Sequence, residues 1–363
     1  MIELPEWLIQ KLAETDIEIR RICKSDVPQM QDMLDYVLSE KGKQIRPMMT
    51  FLCSKLTGKS PKVAELAAVV EICHVASLIH DDVIDDGEIR RGHDALQKKY
   101  GKEMAVYCGD YMIFAAISRT KLVNKLWYKS VFKKLEFMCN GEINQYYNQY
   151  NLKVNENDYI DYLKDKTAAL FEIACLSGAR EAKMNRSQLR SVENFANCFG
   201  IMFQLVDDMS DWISSQEAMK KKTQTDFING YYTMPVIYAL QNDHCYQVIE
   251  EIAKQSMNEK DLSEQNWERL YKTISQSGGF EYTYNKIKEY QRKAEQALSV
   301  FKTTEEALRK NLCKFKNCDK NVMMERIENS RSDFFTVYNG YSNLSRFFGY
   351  QPDGMERSGM ESG

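Results

Sequence analysis

Two clusters of aspartates, each at the end of an apolar run with helical spacing, constrain the fold of this chain most strongly. The first lies in LIHDDVIDDGEIRRG at residues 78–92, where Asp81 and Asp85 are four positions apart. At about 3.6 residues per turn, both carboxylates lie on one face of a helix. Without a positive charge between them they would repel each other and lose hydration free energy. We therefore expect a cation at this place.

The second cluster, FQLVDDMSDW at residues 203–212, repeats the arrangement with Asp207 and Asp211. If the two helices face each other across a bundle, their carboxylates form an oxygen-rich site for hard divalent cations. Carboxylates that leave room for phosphate oxygens favour Mg²⁺ over Zn²⁺ or iron.

Two other metal sites fit the sequence less well. Glu71 and His74 match the Glu-x-x-His element of di-iron bundles, but the chain has four histidines and no second copy of the element. A calcium loop over the first cluster would place Ile84 where a ligand is required.

The composition predicts an all-α fold. A 44% apolar fraction in 363 residues is enough for a sizeable core, and six prolines and 17 glycines favour long helices over short strands and turns. A net charge of −3 gives no surface for nucleic acid or anionic membranes. We expect one all-helical domain over residues 1–319 and a partly disordered C-terminal extension over 320–363.

The ten cysteines contain no CxxC pair, which predicts free thiols in the core rather than a zinc site. The N-terminal MIELPEWLIQ lacks the basic start and apolar centre of a secretion signal. No apolar run reaches the roughly 18 residues of a membrane span. These features predict a cytoplasmic protein.

Several cations lie where helices begin. Lys43 and Arg46, in GKQIRP at 42–47, flank the start of an apolar helix, and Lys166 precedes another. Because cations oppose the dipole at a helix N-terminus, they indicate either a bound anion or a solvated surface pair. By contrast, Glu142 and Gln145 lie among aromatic residues, which indicates either a half-polar lining or a plain tyrosine-rich helix face, and we favour the second.

Together, metals, cations and an apolar interior suit the ionisation of an allylic diphosphate. The metals and cations would hold the diphosphate, and the interior would hold the hydrocarbon. Mg²⁺ turns diphosphate into a good leaving group, and a dry apolar wall keeps water from the carbocation.

Five motifs in order, over roughly residues 30–312, resemble the trans-isoprenyl diphosphate synthases, or polyprenyl synthetases. They are GKQIRP, DDVID followed by Arg90-Arg91-Gly92, Lys166-Thr167, FQLVDDMSD, and SGGFEY at 277–282. The resemblance implies an isoprenoid synthase type helical bundle with a central active-site cavity, and a homodimer. It also implies two substrates, isopentenyl diphosphate and an allylic diphosphate.

The resemblance assigns roles to individual residues. Three Mg²⁺ ions would bind with the allylic diphosphate to Asp81, Asp85 and Asp207, with Asp211 acting through water. The diphosphates would be bound by two basic groups: Arg90, Lys166 and Lys221 for the allylic one, and Lys43, Arg46, His74 and Arg91 for isopentenyl diphosphate. Thr167, Gln204 and the Lys166 carbonyl would face the cation, and released pyrophosphate would take the final proton.

The chain departs from the family at Tyr231, where a lysine is common, and at Lys220, where a glycine is usual. Upstream of the first cluster, Cys73, Ala76 and Ser77 are small, which resembles members that make products of twenty carbons or longer. Alternatively, Tyr111 or Phe114 on the next helix could close the end of the cavity and limit the length of the product.

Two alternative functions belong to other classes. A class I terpene cyclase shares the first aspartate motif, but its second usually mixes Asn, Ser or Thr, and Glu, and it needs no isopentenyl diphosphate site. A non-catalytic subunit of a heteromeric synthase would commonly have lost aspartates that this chain keeps, although Tyr231 leans that way.

Overall fold

Helices form most of the described chain, as the composition predicts. The computed structural model describes residues 4–58, 61–119, 125–214 and 225–301, so the predicted C-terminal extension lies outside the described residues. The helices are α1 (Glu6–Ile22), α2 (Pro28–Ser39), α3 (Ile45–Lys55), α4 (Ala64–Ile84), α5 (Leu96–Tyr100), α6 (Lys102–Arg119), α7 (Lys125–Tyr147), α8 (Glu156–Leu163), α9 (Ala169–Glu181), α10 (Arg186–Ser214), α11 (Thr225–Ile228), α12 (Met234–Ala239), α13 (Asp243–Glu259), α14 (Glu264–Ser277) and α15 (Gly279–Ala297).

Local sequence signals explain several helix ends. Pro5 caps α1 and Pro28 is the first residue of α2, as expected for residues that lack a backbone donor. Asn155 caps α8 by accepting from two backbone amides, one of them that of Asp158. Gly278, with a φ of 83°, ends α14 and lets α15 begin at the next residue.

One short hairpin interrupts the helices. Strands β1 (Ile89–Arg90) and β2 (His93–Asp94) pair antiparallel, with Arg90 opposite His93. The two residues between them, Arg91 and Gly92, have φ values of 52° and 86°. This is the type I′ geometry that suits a two-residue hairpin, and it accounts for the glycine after the paired arginines.

The bundle core lies between α3, α4, α9 and α10. α3 packs on α9, α4 on α6, and α10 on both α9 and α15. Phe171, Phe195, Met48 and Met112 are among its largest fully buried side chains. The described cysteines are all free, and most of them are buried in the core as predicted. No helix in the described ranges is both long and apolar enough to cross a membrane.

Two glycines allow α9 to approach both α10 and α3 closely. A Cβ at Gly200 of α10 would lie 2.5 Å from Ala168 Cα, just before α9. A Cβ at Gly178 of α9 would lie 2.0 Å from the Thr50 carbonyl oxygen of α3. Any side chain at either position must therefore push two helices apart.

We expect Gly178→Ala to lower the free energy of unfolding by about 1–3 kcal/mol, since overpacking against backbone cannot be relieved by a rotamer change. Urea unfolding followed by circular dichroism measures it. The control is Ser275→Ala at an exposed site on α14. Equal stability of the two variants would contradict the close packing of α3 and α9.

Candidate active site

The first aspartate cluster lies at the C-terminal end of α4. The Asp85 amide donates to the Asp81 carbonyl oxygen at 2.8 Å, so the two residues are one helical turn apart, as predicted. Asp86 follows with a φ of 53° and ends the helix. Asp86 is turned outward, where it pairs with Lys102 and is largely exposed. Only Asp81 and Asp85 therefore remain on the cleft side with their carboxylates together.

Asp82 lies on the opposite, buried side of α4 and holds the hairpin in place. Its carboxylate accepts from Arg90 Nε at 3.0 Å and 3.1 Å and from an Arg90 Nη atom. Its backbone oxygen accepts from Gln97 Nε2 at 2.9 Å, and the same amide donates to the Gly87 oxygen. The structure thus places Arg90, assigned from the sequence to the diphosphate, against Asp82 at the rim of the cluster.

The second cluster lies near the C-terminal end of α10. Asp207 and Asp211 are solvent-accessible on the cleft side, whereas Asp208 is buried behind them. The Asp208 carboxylate accepts from the Tyr159 hydroxyl and from Gln204 Nε2, the latter at 2.8 Å. Burial nevertheless raises the pKa of Asp208 to about 7, with both hydrogen bonds opposing the shift.

This chain of hydrogen bonds continues to Thr167. Because Gln204 Nε2 donates to Asp208, its Oε1 is free to accept from Thr167 Oγ1 at 3.0 Å. Thr167 belongs to a π-helical turn, Lys164–Ala168, a feature that is frequent at functional sites. The close approach of Gly200 and Ala168 brings Thr167 and Gln204 together.

Lys166 lies beside the first cluster, but its partners were not predicted. Its Nζ donates to Glu142 at 2.9 Å and to Gln145 Oε1 at 3.1 Å. Burial acts to lower its pKa, but the Glu142 contact and the charges of Asp81 and Asp226 raise it above the ordinary value. Glu142 and Gln145, one helical turn apart on α7, both accept from this cation, so the structure agrees with a half-polar lining and not with the plain tyrosine-rich face that we favoured.

Asp226, at the start of α11, is a further site residue that sequence reasoning missed. Burial raises the pKa of Asp226, Lys166 opposes this shift, and the charges of Asp85 and Asp207 add to it. Asp226 is therefore close enough to both aspartate clusters for their charges to shift its pKa. Nothing in the sequence distinguished it, because it lies in a short polar stretch without helical periodicity. Lys220 and Lys221 lie outside the described residues.

Tyr231 also faces this space. Its hydroxyl accepts from Gln149 Nε2 at 2.6 Å, and its amide donates to the Asp226 carbonyl oxygen at 2.7 Å. Burial raises its pKa above the ordinary value, and the charge of Asp85 adds to the shift. Tyr231 is therefore a neutral hydrogen-bonding group where the resemblance leads one to expect a cation.

The unpaired state of the acids fits a divalent metal. Burial and neighbouring acids raise the pKa of Asp81 to about 6 and that of Asp211 to about 8. Within the described ranges, no basic side chain forms an ion pair with Asp81, Asp85 or Asp211, and no three acidic, histidine or cysteine side chains converge enough to hold an ion alone. Hard oxygen donors that need further oxygen ligands suit Mg²⁺.

A separate basic group lies at the start of α3. The Arg46 guanidinium stacks 4.7 Å above the Phe171 ring, and burial lowers its pKa to about 10, against the charge of buried Glu71. Burial, Arg46 and Arg91 together lower the pKa of His74 well below its ordinary value. Lys43 feels the charge of Asp207 in the second cluster. Arg46, His74 and Arg91 therefore lie close to one another, whereas Lys43 lies within electrostatic range of the second aspartate cluster.

Upstream of the first cluster, three small residues lie on the side of α4 that faces into the bundle. Ala76 is fully buried, Cys73 is 7% exposed, and Ser77 is half-buried. On the neighbouring α6, the Tyr111 hydroxyl donates to the Lys24 carbonyl oxygen, and Phe114 is 64% exposed. Phe114 therefore points away from the interior of this chain and does not close the end of a cavity beside α4.

Comparison with known proteins identifies the family of this chain. The profile of the family described as Polyprenyl synthetase matches residues 27–272. A heptaprenyl diphosphate synthase component 2 from Bacillus subtilis is 32% identical over 62% of this chain, which spans 65% of that relative's length. An octaprenyl diphosphate synthase from Haemophilus influenzae is 28% identical over 82% of this chain and 92% of its own.

Solved structures agree as well. A decaprenyl diphosphate synthase from Rhodobacter capsulatus superposes with a TM-score of 0.77 at 26% identity, over 90% of this chain and 98% of its own. A polyprenyl synthase from Caulobacter crescentus, solved with calcium and isoprenyl diphosphate, gives 0.75 at 25% identity, over 84% and 93%. The predicted fold is confirmed, and the chain belongs to the polyprenyl synthetase family, a family of prenyltransferases.

Proposed function

We propose that this chain condenses isopentenyl diphosphate with an allylic diphosphate, in a Mg²⁺-dependent reaction, to give a linear (E)-polyprenyl diphosphate. The observation that carries the proposal is the pairing of two facing aspartate clusters with a separate basic group at α3. The clusters suit a metal-bound diphosphate, and Lys43, Arg46, His74 and Arg91 suit a second one. The isoprenyl diphosphate and calcium bound to the Caulobacter relative support the same type of site.

Each side chain has a role in this reaction. Asp81, Asp85 and Asp207, with Asp211 through water, would hold three Mg²⁺ ions, which stabilise the negative charge of departing diphosphate. Lys166 donates to the same diphosphate, exchanging its contact with Glu142 for phosphate oxygens. Thr167 and Gln204 present oxygen dipoles to the allylic cation. These dipoles are fixed in advance, because Asp208 orients the Gln204 amide.

The remaining parts of the proposal concern the proton and water. Phe171, Phe199 and Phe203 form an aromatic wall, with ring centroids 5.1–6.3 Å apart, which excludes water beside the basic group. His74 is neutral because its pKa is lowered, so it binds phosphate as a hydrogen-bond donor. We assign the final proton to released pyrophosphate.

We also propose a homodimer. On α6, Met104, Tyr107 and Phe114 are 41%, 62% and 64% exposed, and their spacing places them along one face. An exposed apolar stripe of this kind suits a second copy of the same chain. Two relatives carry names that identify them as component 2 of a synthase, so light scattering of the purified chain must accompany the activity assay.

The central experiment incubates purified protein with Mg²⁺, isopentenyl diphosphate and allylic primers of increasing length. We expect a ladder of products that ends at one length, measured by chromatography after phosphatase treatment. A product formed without isopentenyl diphosphate would indicate a cyclase. No elongation with any primer would contradict the proposal and favour a subunit of a heteromeric synthase.

Asp81→Asn tests the metal assignment. We expect kcat to fall by about a hundredfold or more, because a neutral amide binds Mg²⁺ far more weakly than a carboxylate does. Asp86→Asn is a matched control, since Asp86 lies in the same cluster but pairs with Lys102 outside the cleft. Its left-handed backbone also suits asparagine. An equal loss in both variants would contradict the assignment.

The raised pKa values predict how stability depends on pH. Carboxylates with pKa values above those of the unfolded chain stabilise the metal-free fold while protonated, and this contribution is lost progressively as the pH rises from about 4, the unfolded value, to the folded values of about 6 to 8. We expect Tm of the metal-free protein to fall over that range, and Mg²⁺ with pyrophosphate to reduce the fall. Asp211→Asn should flatten the curve most between about pH 6 and 8, where Asp211 is a carboxylate that still loses its proton on unfolding. A curve that this variant leaves unchanged would contradict the prediction.

Product length is the finer proposal, and we expect twenty carbons or longer. Ala76 and Ser77 leave room along α4, and the relatives named above include heptaprenyl and octaprenyl synthases. We expect Ser77→Phe and Ala76→Phe to shorten the product by blocking the growing chain. Ala76→Ser, which adds little volume, is the control. An unchanged product distribution in folded phenylalanine variants would overturn the idea.

A further inference from the structure

The loop at residues 40–44 carries Lys43 into the proposed isopentenyl diphosphate site. It connects α2 to α3, and its last residue, Gln44, caps α3 with a φ of 47°. A left-handed backbone is disfavoured for an L residue with a long side chain. Neighbouring groups must therefore hold Gln44 in this conformation.

Asp16 of α1 is the group that holds it. Asp16 Oδ1 accepts from Gln44 Nε2, and Asp16 Oδ2 accepts from Lys41 Nζ at 2.6 Å. One carboxylate thus binds the loop on both sides of Lys43, with each of its oxygens used once. Its side chain is only 21% exposed, which strengthens a charge-assisted contact compared with one in open solvent.

The other side of the same loop contacts the hairpin. Arg91 Nη1 donates to the Glu40 carbonyl oxygen at 2.6 Å, and His93 Nε2 lies 3.0 Å from Glu40 Oε1. A Cβ at Gly42 would lie 2.4 Å from an Arg91 guanidinium nitrogen. The loop is therefore clamped between α1 and the hairpin, so that the position of Lys43 relative to Arg91 depends on both contacts.

We propose that Asp16 is a positioning residue for isopentenyl diphosphate, acting through the 40–44 loop. It touches neither substrate and sets where Lys43 and Arg46 meet the diphosphate. Asp16 lies outside residues 27–272, which the family profile matches, so α1 supplies a part of the site that the motifs do not contain. This inference rests on the proposed function.

Asp16→Asn tests the role while keeping the shape of the side chain. We expect the KM for isopentenyl diphosphate to rise about tenfold, and the KM for the allylic substrate to stay within about twofold, since a charge-assisted contact is lost beside only one substrate. Glu14→Gln is the matched control, because it breaks an exposed pair with Lys11 on the same helix. Its KM values should equal those of the wild type.

Gln44→Met provides a second, independent variant, since it keeps the length of the side chain and removes the amide. We expect the same selective rise in KM. Both variants weaken the contact between Asp16 and Gln44, and only Asp16→Asn also weakens the contact with Lys41, so the double variant Asp16→Asn/Gln44→Met should be no worse than Asp16→Asn alone. Effects that add up would overturn the proposal, as would equal changes in both KM values.

The same measurements separate this inference from the proposed function. If the wild-type chain elongates primers and Asp16→Asn changes both KM values alike or neither, only the role of Asp16 fails. If the wild-type chain elongates no primer, the proposed function fails and the role of Asp16 falls with it.

Discussion

Repulsion between carboxylates that share one cleft is the constraint on which the rest of this site depends. Asp81, Asp85 and Asp211 lie on the cleft side and form no ion pair in the described ranges, and burial raises their pKa values although Lys166 and Arg90 oppose the shift at Asp81 and Asp85. The acids that face inward, Asp82 and Asp208, are instead satisfied by Arg90, Tyr159 and Gln204. In each adjacent pair, Asp81-Asp82 and Asp207-Asp208, one carboxylate thus lies on the cleft side and the other is hydrogen-bonded within the bundle.

The two proposed diphosphate sites are built from different parts of the chain. The proposed metal-binding side lies at the C-terminal ends of α4 and α10, where Lys166 forms an ion pair with Glu142. The other side uses the start of α3 and the hairpin. The hairpin joins them, because Arg90 contacts an acid of the first cluster while Arg91 contacts the loop before α3. Two substrates can therefore be oriented by one short turn.

Predictions from the sequence were correct where the helices are regular. They failed where an irregular backbone determines the position of a side chain. The spacing of Asp81 and Asp85, the proline-started helices and the break at Gly278 obey local rules, and the structure agrees. The backbone of Gly42 is not left-handed; its lack of a side chain leaves room for Arg91, and Gln44 takes the left-handed conformation instead. Glu142 and Asp226 gain their roles only from residues distant in sequence, which no periodicity encodes.

The π-helical turn at Lys164–Ala168 changes the angle about the helix axis between the side chains that precede it and those that follow it. Tyr159 and Thr167 are eight residues apart, which in a continuous α-helix would turn their side chains about 80° away from each other. One extra residue absorbed by the turn reduces this difference to about 20°, so that both can meet the same helix, α10. A one-residue deletion here would leave every helix intact and still rotate half of the site out of register.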